Sequence, residues 1–130
     1  MSVDREAMTP DRNRLWATDI HYDKSQKILT VIFNDGVAFD LAAELLRVES
    51  PSAEVQGHGA GQKQLVAGKR TVGITAIEPV GRYAVRLIFD DLHDTGLYSW
   101  RYLRQLGERQ DDLWQDYLSR LSAAGGSRDS

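Results

Sequence analysis

The sequence predicts an α+β fold: mostly antiparallel β-hairpins in a meander, a short central helix and a C-terminal helical segment. Three observations carry that reading. Tyr83, Val85, Leu87 and Phe89 alternate with Ala84, Arg86 and Ile88, the period of two that gives a strand one apolar face. Asn34-Asp35-Gly36 separates two β-rich runs and has the composition of a hairpin turn. Leu113, Trp114, Tyr117, Leu118 and Leu121 recur at helical spacing and form one broad apolar face.

Residues 1–14 are charged and aperiodic, and they are expected to be a flexible N-terminal arm. A first strand is predicted over 15–23 from Trp16, Ile20 and Tyr22, with a turn at 23–27, a second strand at 28–33 and a return at 37–39. Asp40 is suited to N-cap a short helix over 41–47, with Leu41, Leu45 and Leu46 facing inward. Residues 49–71 include Ser50-Pro51-Ser52 and four glycines before Lys69, and are expected to be an irregular, mobile connection. Strand character resumes over 72–80 and again at 83–89. A polar turn then carries Asp90, Asp91, His93, Asp94 and Gly96, and Leu97-Tyr98 forms a short returning strand. Ser99 is a good N-cap for a helix that opens at Trp100, with Trp100, Leu103 and Leu106 on one face. Gly107 is expected to end that helix, and Asp111 or Asp112 to start another. Residues 123–130 read as a disordered tail, so 15–122 form the single domain.

Composition excludes several chemistries. A chain of 130 residues is long enough for one real core. Its formal net charge of −3, without a basic stripe among aromatics, argues against nucleic acid as a partner. The absence of cysteine removes disulfides, thiol nucleophiles and every cysteine-bearing zinc or iron–sulfur motif. No apolar run has the roughly 20 residues of a membrane span, and the first residues lack the apolar core of a signal peptide. No membrane partner is expected, and the expected setting is the cytoplasm of a bacterial-type cell.

The apparent motifs are short. His21-Tyr22-Asp23 supplies two groups of a facial iron triad, for which His58 or His93 could be the third, but the pattern is common by chance and Asp23 falls in a turn. The glycine-rich stretch 57–63 could cradle an anion, yet it lacks phosphate-loop spacing, and Gly68-Lys69 is followed by Arg70. Asp90, Asp91 and Asp94 could bind a hard cation, although solvated turn carboxylates are far commoner. No nucleophile–histidine–carboxylate set and no paired acids stand out. The residues point to a binding or accessory module rather than an enzyme.

Several separated motifs nevertheless form a pattern in order: Asn34-Asp35-Gly36; Leu45-Leu46-Arg47 leading into Ser50-Pro51-Ser52-Ala53-Glu54-Val55; Gly81-Arg82-Tyr83-Ala84-Val85; and His93-Asp94-Thr95-Gly96-Leu97-Tyr98-Ser99-Trp100-Arg101-Tyr102-Leu103. Together, from about residue 15 to about 106, they resemble the gamma-butyrobetaine hydroxylase-like N-terminal domain family, closest to its free-standing bacterial branch of unknown function. In that family the domain precedes the catalytic domain of carnitine-pathway oxygenases, is appended to ATPases implicated in iron–sulfur cluster assembly, or stands alone. The resemblance implies a structural zinc in the oxygenases, held by a Cys-x-Cys-x-x-Cys run and a later histidine. Those positions fall here on Ser50, Ser52, Val55 and His93, so no zinc or other cofactor is expected. The oxygenases' iron site lies in a catalytic domain with no counterpart in these residues, and their activity does not transfer. The resemblance implies a non-enzymatic accessory or protein-interaction module, with an iron–sulfur assembly factor or an iron enzyme as partner. His93, Asp94 and Tyr98 are the candidate interaction residues. The alternative is a metal-binding protein or metal-dependent enzyme component that uses His93 with the nearby carboxylates.

Overall fold

In a computed structural model of the protein, residues 14–57 and 63–129 are described. Asp23 turns its carboxylate back on its own chain, Oδ1 accepting from the Ser25 N–H at 2.9 Å and the Gln26 N–H at 3.1 Å. This turn joins β1 (Ala17–Asp23) to β2 (Ile28–Phe33). Gly36, at φ 86°, closes the next turn by donating to the Phe33 carbonyl at 2.8 Å, and β3 (Ala38–Ala42) returns. Two short helices follow, α1 (Ala43–Val48) and α2 (Ala53–Gln56). A second sheet contains β4 (Ile74–Val80), β5 (Ala84–Phe89) and β6 (Leu97–Ser99), and α3 (Trp100–Ala123) ends the described elements. Both sheets are three-stranded and antiparallel in chain order, β1-β2-β3 and β4-β5-β6. The fold is α+β.

Period-two alternation drives Leu29, Val31 and Phe33 of β2 and Val85, Leu87 and Phe89 of β5 into one core. Leu41, Leu45 and Leu46 join them, as do Leu103 and Leu106 of α3. Burying one such side chain contributes about 1.5–3 kcal/mol, so this shared apolar set, more than any polar link, holds the sheets together. A direct polar link does exist: the Tyr22 hydroxyl accepts from the Ile74 N–H at 3.1 Å. A smaller cluster of Val48, Tyr117 and Leu121 packs with Leu65 and Val66, so the far half of α3 fastens the long connection.

Four expectations are corrected. Asp40 does not cap a helix: the chain stays extended through Ala42, with Leu41 opposite Leu29 and Asp40 Oδ1 accepting from Thr30 Oγ1 at 2.6 Å. Burial of Leu41 in strand register outweighs a local capping preference. Gly107 does not end a helix either, and no second helix starts at Asp111 or Asp112. One 24-residue helix runs through, capped by Ser99, whose Oγ accepts from the Tyr102 N–H at 3.0 Å. Gly107 is buried under the Phe39 ring, where a Cβ would collide. The connection 49–71 is not irregular throughout. Glu49, Ser50 and Ser52 are buried and α2 forms within it, whereas His58 and the rest of 58–62 lie outside the described residues. Finally, residues 124–129 are not loose. The Gly68 N–H donates to the Ser127 carbonyl and the Arg70 N–H to the Arg128 carbonyl, each at 2.9 Å, while Arg128 forks onto buried Glu44. Of the expected N-terminal arm, all but Arg14 lies outside the described residues.

Candidate functional site

The polar turn after β5 does not leave His93 in solvent. His93 is buried. Its Nε2 lies 2.9 Å from Ser50 Oγ, and its Nδ1 lies 3.2 Å from Glu54 Oε1. Ser50 Oγ also accepts from the Ser52 N–H at 3.2 Å. One assignment satisfies every partner: a neutral imidazole protonated on Nδ1, donating to Glu54 and accepting the Ser50 hydroxyl proton on Nε2. A second branch runs in parallel. Ser52 Oγ is 2.7 Å from Thr95 Oγ1, Thr95 donates to Glu54 Oε1 at 3.1 Å, and Ser52 Oγ accepts from the Glu54 N–H at 3.1 Å. That last bond is the N-cap of α2, so the sequence Ser52-x-Glu54 both starts the helix and aims its carboxylate at His93.

Asp91 fixes the start of the same loop. Its carboxylate meets Arg47 Nε at 2.9 Å, Lys69 Nζ at 2.6 Å and the His93 N–H at 3.2 Å. Burial pulls its pKa upward, but the bonds from Lys69, Arg47 and the His93 backbone prevail and hold it at about 2. Burial lowers the His93 pKa, and the Arg47 charge acts in the same direction against Glu54, Asp91 and Asp94. Asp90 accepts from the Gly73 N–H at 3.0 Å, and Asp94 is exposed. The three aspartates therefore face different partners and share no centre. Tyr98 is fully enclosed, its phenol donating to the Leu46 carbonyl, and it offers nothing to a docking partner. Burial pushes that phenol's pKa up.

The order Ser50–His93–Glu54 is that of a nucleophile relay. What it lacks is room. Ser50 is fully buried, and an added Cβ on Gly96 would stand only 2.6 Å from its Oγ. No substrate carbonyl can reach that oxygen without unpacking the loop. The residues do not fit a four-coordinate zinc either. Ser50 and Ser52 carry neutral hydroxyls engaged with each other's neighbours, Val55 is a buried hydrocarbon, and His93 is the one strong donor. The adjacent Arg47 guanidinium, whose Nη1 is buried without a hydrogen-bond partner, further disfavours a cation. On β1, His21 is exposed and Asp23 is spent in its turn, so the His-x-Asp pair is not assembled into a site. Among the described residues no group of three His, Cys, Asp or Glu is placed to hold a metal.

The arrangement is therefore a polar cross-link that ties residues 50–56 to the loop 90–97. Sequence reasoning brought together Ser50, Ser52 and His93, which the structure juxtaposes, but it missed Glu54, Thr95, Arg47 and Lys69. The N-cap pattern at Ser52 was the available signal for Glu54. It also missed Leu92, which sits at φ 73° with 89% of its surface exposed.

No curated protein matches the chain. Two proteins solved by NMR in solution are 50% and 51% identical to it, with TM-scores of 0.76 and 0.78; the matches cover 88% and 93% of this chain and 90% of each of theirs. A crystal structure of a protein of unknown function from Acidithiobacillus ferrooxidans ATCC 23270, of the DUF971 family, is 37% identical with a TM-score of 0.60, covering 70% of this chain and 91% of that one. A family model described as gamma-butyrobetaine hydroxylase-like, N-terminal matches residues 20–104. The chain belongs to the gamma-butyrobetaine hydroxylase-like N-terminal family.

Proposed function

We propose that this chain is a metal-free, non-enzymatic protein-interaction module of the cytoplasm, and that the loop 90–97 is its recognition element. The observation that carries the reading is Leu92. A β-carbon residue at positive φ is strained by about 1–3 kcal/mol and persists only where its surroundings fix it. Here they do: the Leu92 N–H donates to the Phe89 carbonyl at 3.1 Å, the Phe89 N–H donates to the His93 carbonyl at 3.0 Å, and His93 anchors the loop from beneath. The result is an apolar side chain held in solvent, with Asp94 and Leu97 also exposed along the loop. In this reading His93 serves recognition indirectly, as an anchor. The partner class, an iron–sulfur assembly factor or an iron enzyme, rests on the family resemblance alone.

The test is cross-linked affinity purification from the native cell with the wild type and Leu92→Asp, beside metal analysis of the untagged protein. Leu92→Asp is expected to unfold at the same temperature and to lose the captured partner. An unchanged partner set removes the loop from recognition. Stoichiometric metal in the wild type favours a metal-dependent component instead.

A further inference from the structure

At the other end of β5 from Leu92 lies a second surface, and we infer that it is a docking groove for a short acidic peptide segment carrying an apolar anchor. Two hollows of about 230 and 420 Å³ share Arg14 and Tyr83. One is completed by Trp16 and Arg82, the other by Trp100 and Arg101, and among the described residues no carboxylate lines either. Trp16 is 44% exposed and Tyr83 52% exposed, so both side chains present aromatic surface to solvent. Arg14 stacks 4.9 Å over the Tyr83 ring. Neither the Arg82 nor the Arg101 side chain forms an ion pair among the described residues, and the first turn of α3 has no acidic residue to offset them. Tryptophan, tyrosine and arginine are the side chains that dominate binding energy at protein interfaces.

The walls are fixed before any partner arrives. Trp100 donates its backbone N–H to the Tyr83 carbonyl at 2.9 Å and its indole N–H to the Arg82 carbonyl at 2.8 Å, pinning the β4–β5 turn to α3. Asn34 pins the opposite wall, accepting from the Trp16 N–H at 3.0 Å and donating to the Arg14 carbonyl at 2.9 Å. Such preorganisation lowers the ordering cost of binding. Charge selects the occupant. Arg82 and Arg101 come from separate segments and lie one in each hollow, which suits carboxylates spaced along an extended chain, each able to pair with a guanidinium. The chain as a whole carries −3, so a long polyanion such as nucleic acid is repelled at a distance while a short acidic segment with an apolar anchor is accepted locally. This inference does not depend on the Leu92 loop.

The experiment uses the full-length, isotopically labelled protein and a short peptide of glutamates flanking one phenylalanine. The Trp16 indole and the Tyr83 and Arg101 amides are expected to shift, while the Trp114 indole does not. Arg82→Glu/Arg101→Glu is expected to weaken binding by about tenfold or more, and Leu92→Asp to leave it intact. Should the charge reversal misfold, Arg82→Gln/Arg101→Gln is expected to weaken binding in the same direction. The proposal is overturned by an absence of shifts, by equal binding of a peptide with glutamine in place of each glutamate, or by full affinity in both arginine variants. Equal binding of inorganic polyphosphate marks an unselective anion patch and also overturns it. Binding seen only after residues 1–13 are deleted makes the chain's own arm the occupant and overturns the partner peptide.

Discussion

Removing the His93 imidazole takes away a donor and an acceptor at once, and one of the groups it abandons, the Ser50 hydroxyl, is fully buried. His93→Ala is therefore expected to cost about 1–3 kcal/mol, read by chemical denaturation. A loss within about 0.5 kcal/mol, the range of an unconstrained surface site, would mean that the cross-link contributes nothing. The same burial sets a pH dependence. Because the folded-state pKa of His93 lies below its unfolded value, the unfolded chain takes up the proton first. Stability from this group is complete above about pH 6.5 and declines as the pH falls below it. Unfolding free energies between neutral and mildly acidic pH should show this decline in the wild type and a flatter profile in His93→Gln. The cross-link also involves Ser50, Ser52 and His93, three of the positions that the family resemblance matches to zinc ligands in the oxygenases. Ser50→Cys/Ser52→Cys/Val55→Cys, which places three thiols in the segment cross-linked to His93, is expected to bind zinc stoichiometrically by metal analysis. A triple variant that folds and stays metal-free would show that this loop geometry does not close a zinc shell. The burial of His93 was not legible in the sequence, and the reason is physical. Asp90, Asp91 and Asp94 around it suggest solvent, but Asp91 is neutralised by Arg47 and Lys69, far away in the chain.

Elements were legible where a local pattern alone decides them. The β-rich composition of β2, strand alternation at β5, the Gly36 turn and the Ser99 cap each rest on residues within a few positions of one another. The errors fall where a distant partner decides. At Asp40 the opposing β2 register holds the chain extended, and at Gly107 the Phe39 ring takes the space of a side chain. Gly107 gives a discriminating test, because two effects oppose each other there. Alanine in a helix interior gains about 0.5–1 kcal/mol over glycine from backbone entropy. Its Cβ here would overlap the Phe39 ring, and overpacking a filled site costs about 1–3 kcal/mol. Gly107→Ala is expected to lower the unfolding temperature, since the Phe39 ring of β3 is also held edge-on by Phe33 and covered by Arg104. A stabilised Gly107→Ala would show that the ring can swing away and that helix propensity prevails.

Across the whole molecule, the last described residues fasten a segment that no local pattern ties down. Arg128 reaches back 84 positions to Glu44, making two bonds at 2.8 and 2.9 Å, and its guanidinium stacks 5.1 Å from the Trp114 ring. The neighbouring backbone bonds Gly68 and Arg70. The Tyr117 hydroxyl holds the Val66 carbonyl at 2.7 Å from the other side. The stretch 63–70 therefore lies between α3 and the C-terminal residues, and Lys69 projects from it onto Asp91. A path of contacts consequently runs from the last described residues to the loop 90–97. If that path transmits order, deleting residues 127–130 should abolish amide-exchange protection at Gly68 and Arg70 first, then weaken it at Leu92 and His93. β5 should stay protected at Val85 and Leu87, because their apolar burial does not involve the tail. The side-chain part of the strap is separable. Arg128→Ala leaves the backbone pairing in place but strands the buried Glu44 carboxylate, for an expected cost of about 1–3 kcal/mol. Glu44→Gln with Arg128→Ala should recover part of that loss, because the uncompensated charge is gone. Exchange that rises at Gly68 and Arg70 but not at Leu92 would confine the strap to the connection it covers. Exchange that rises uniformly, β5 included, would make the tail part of the global fold.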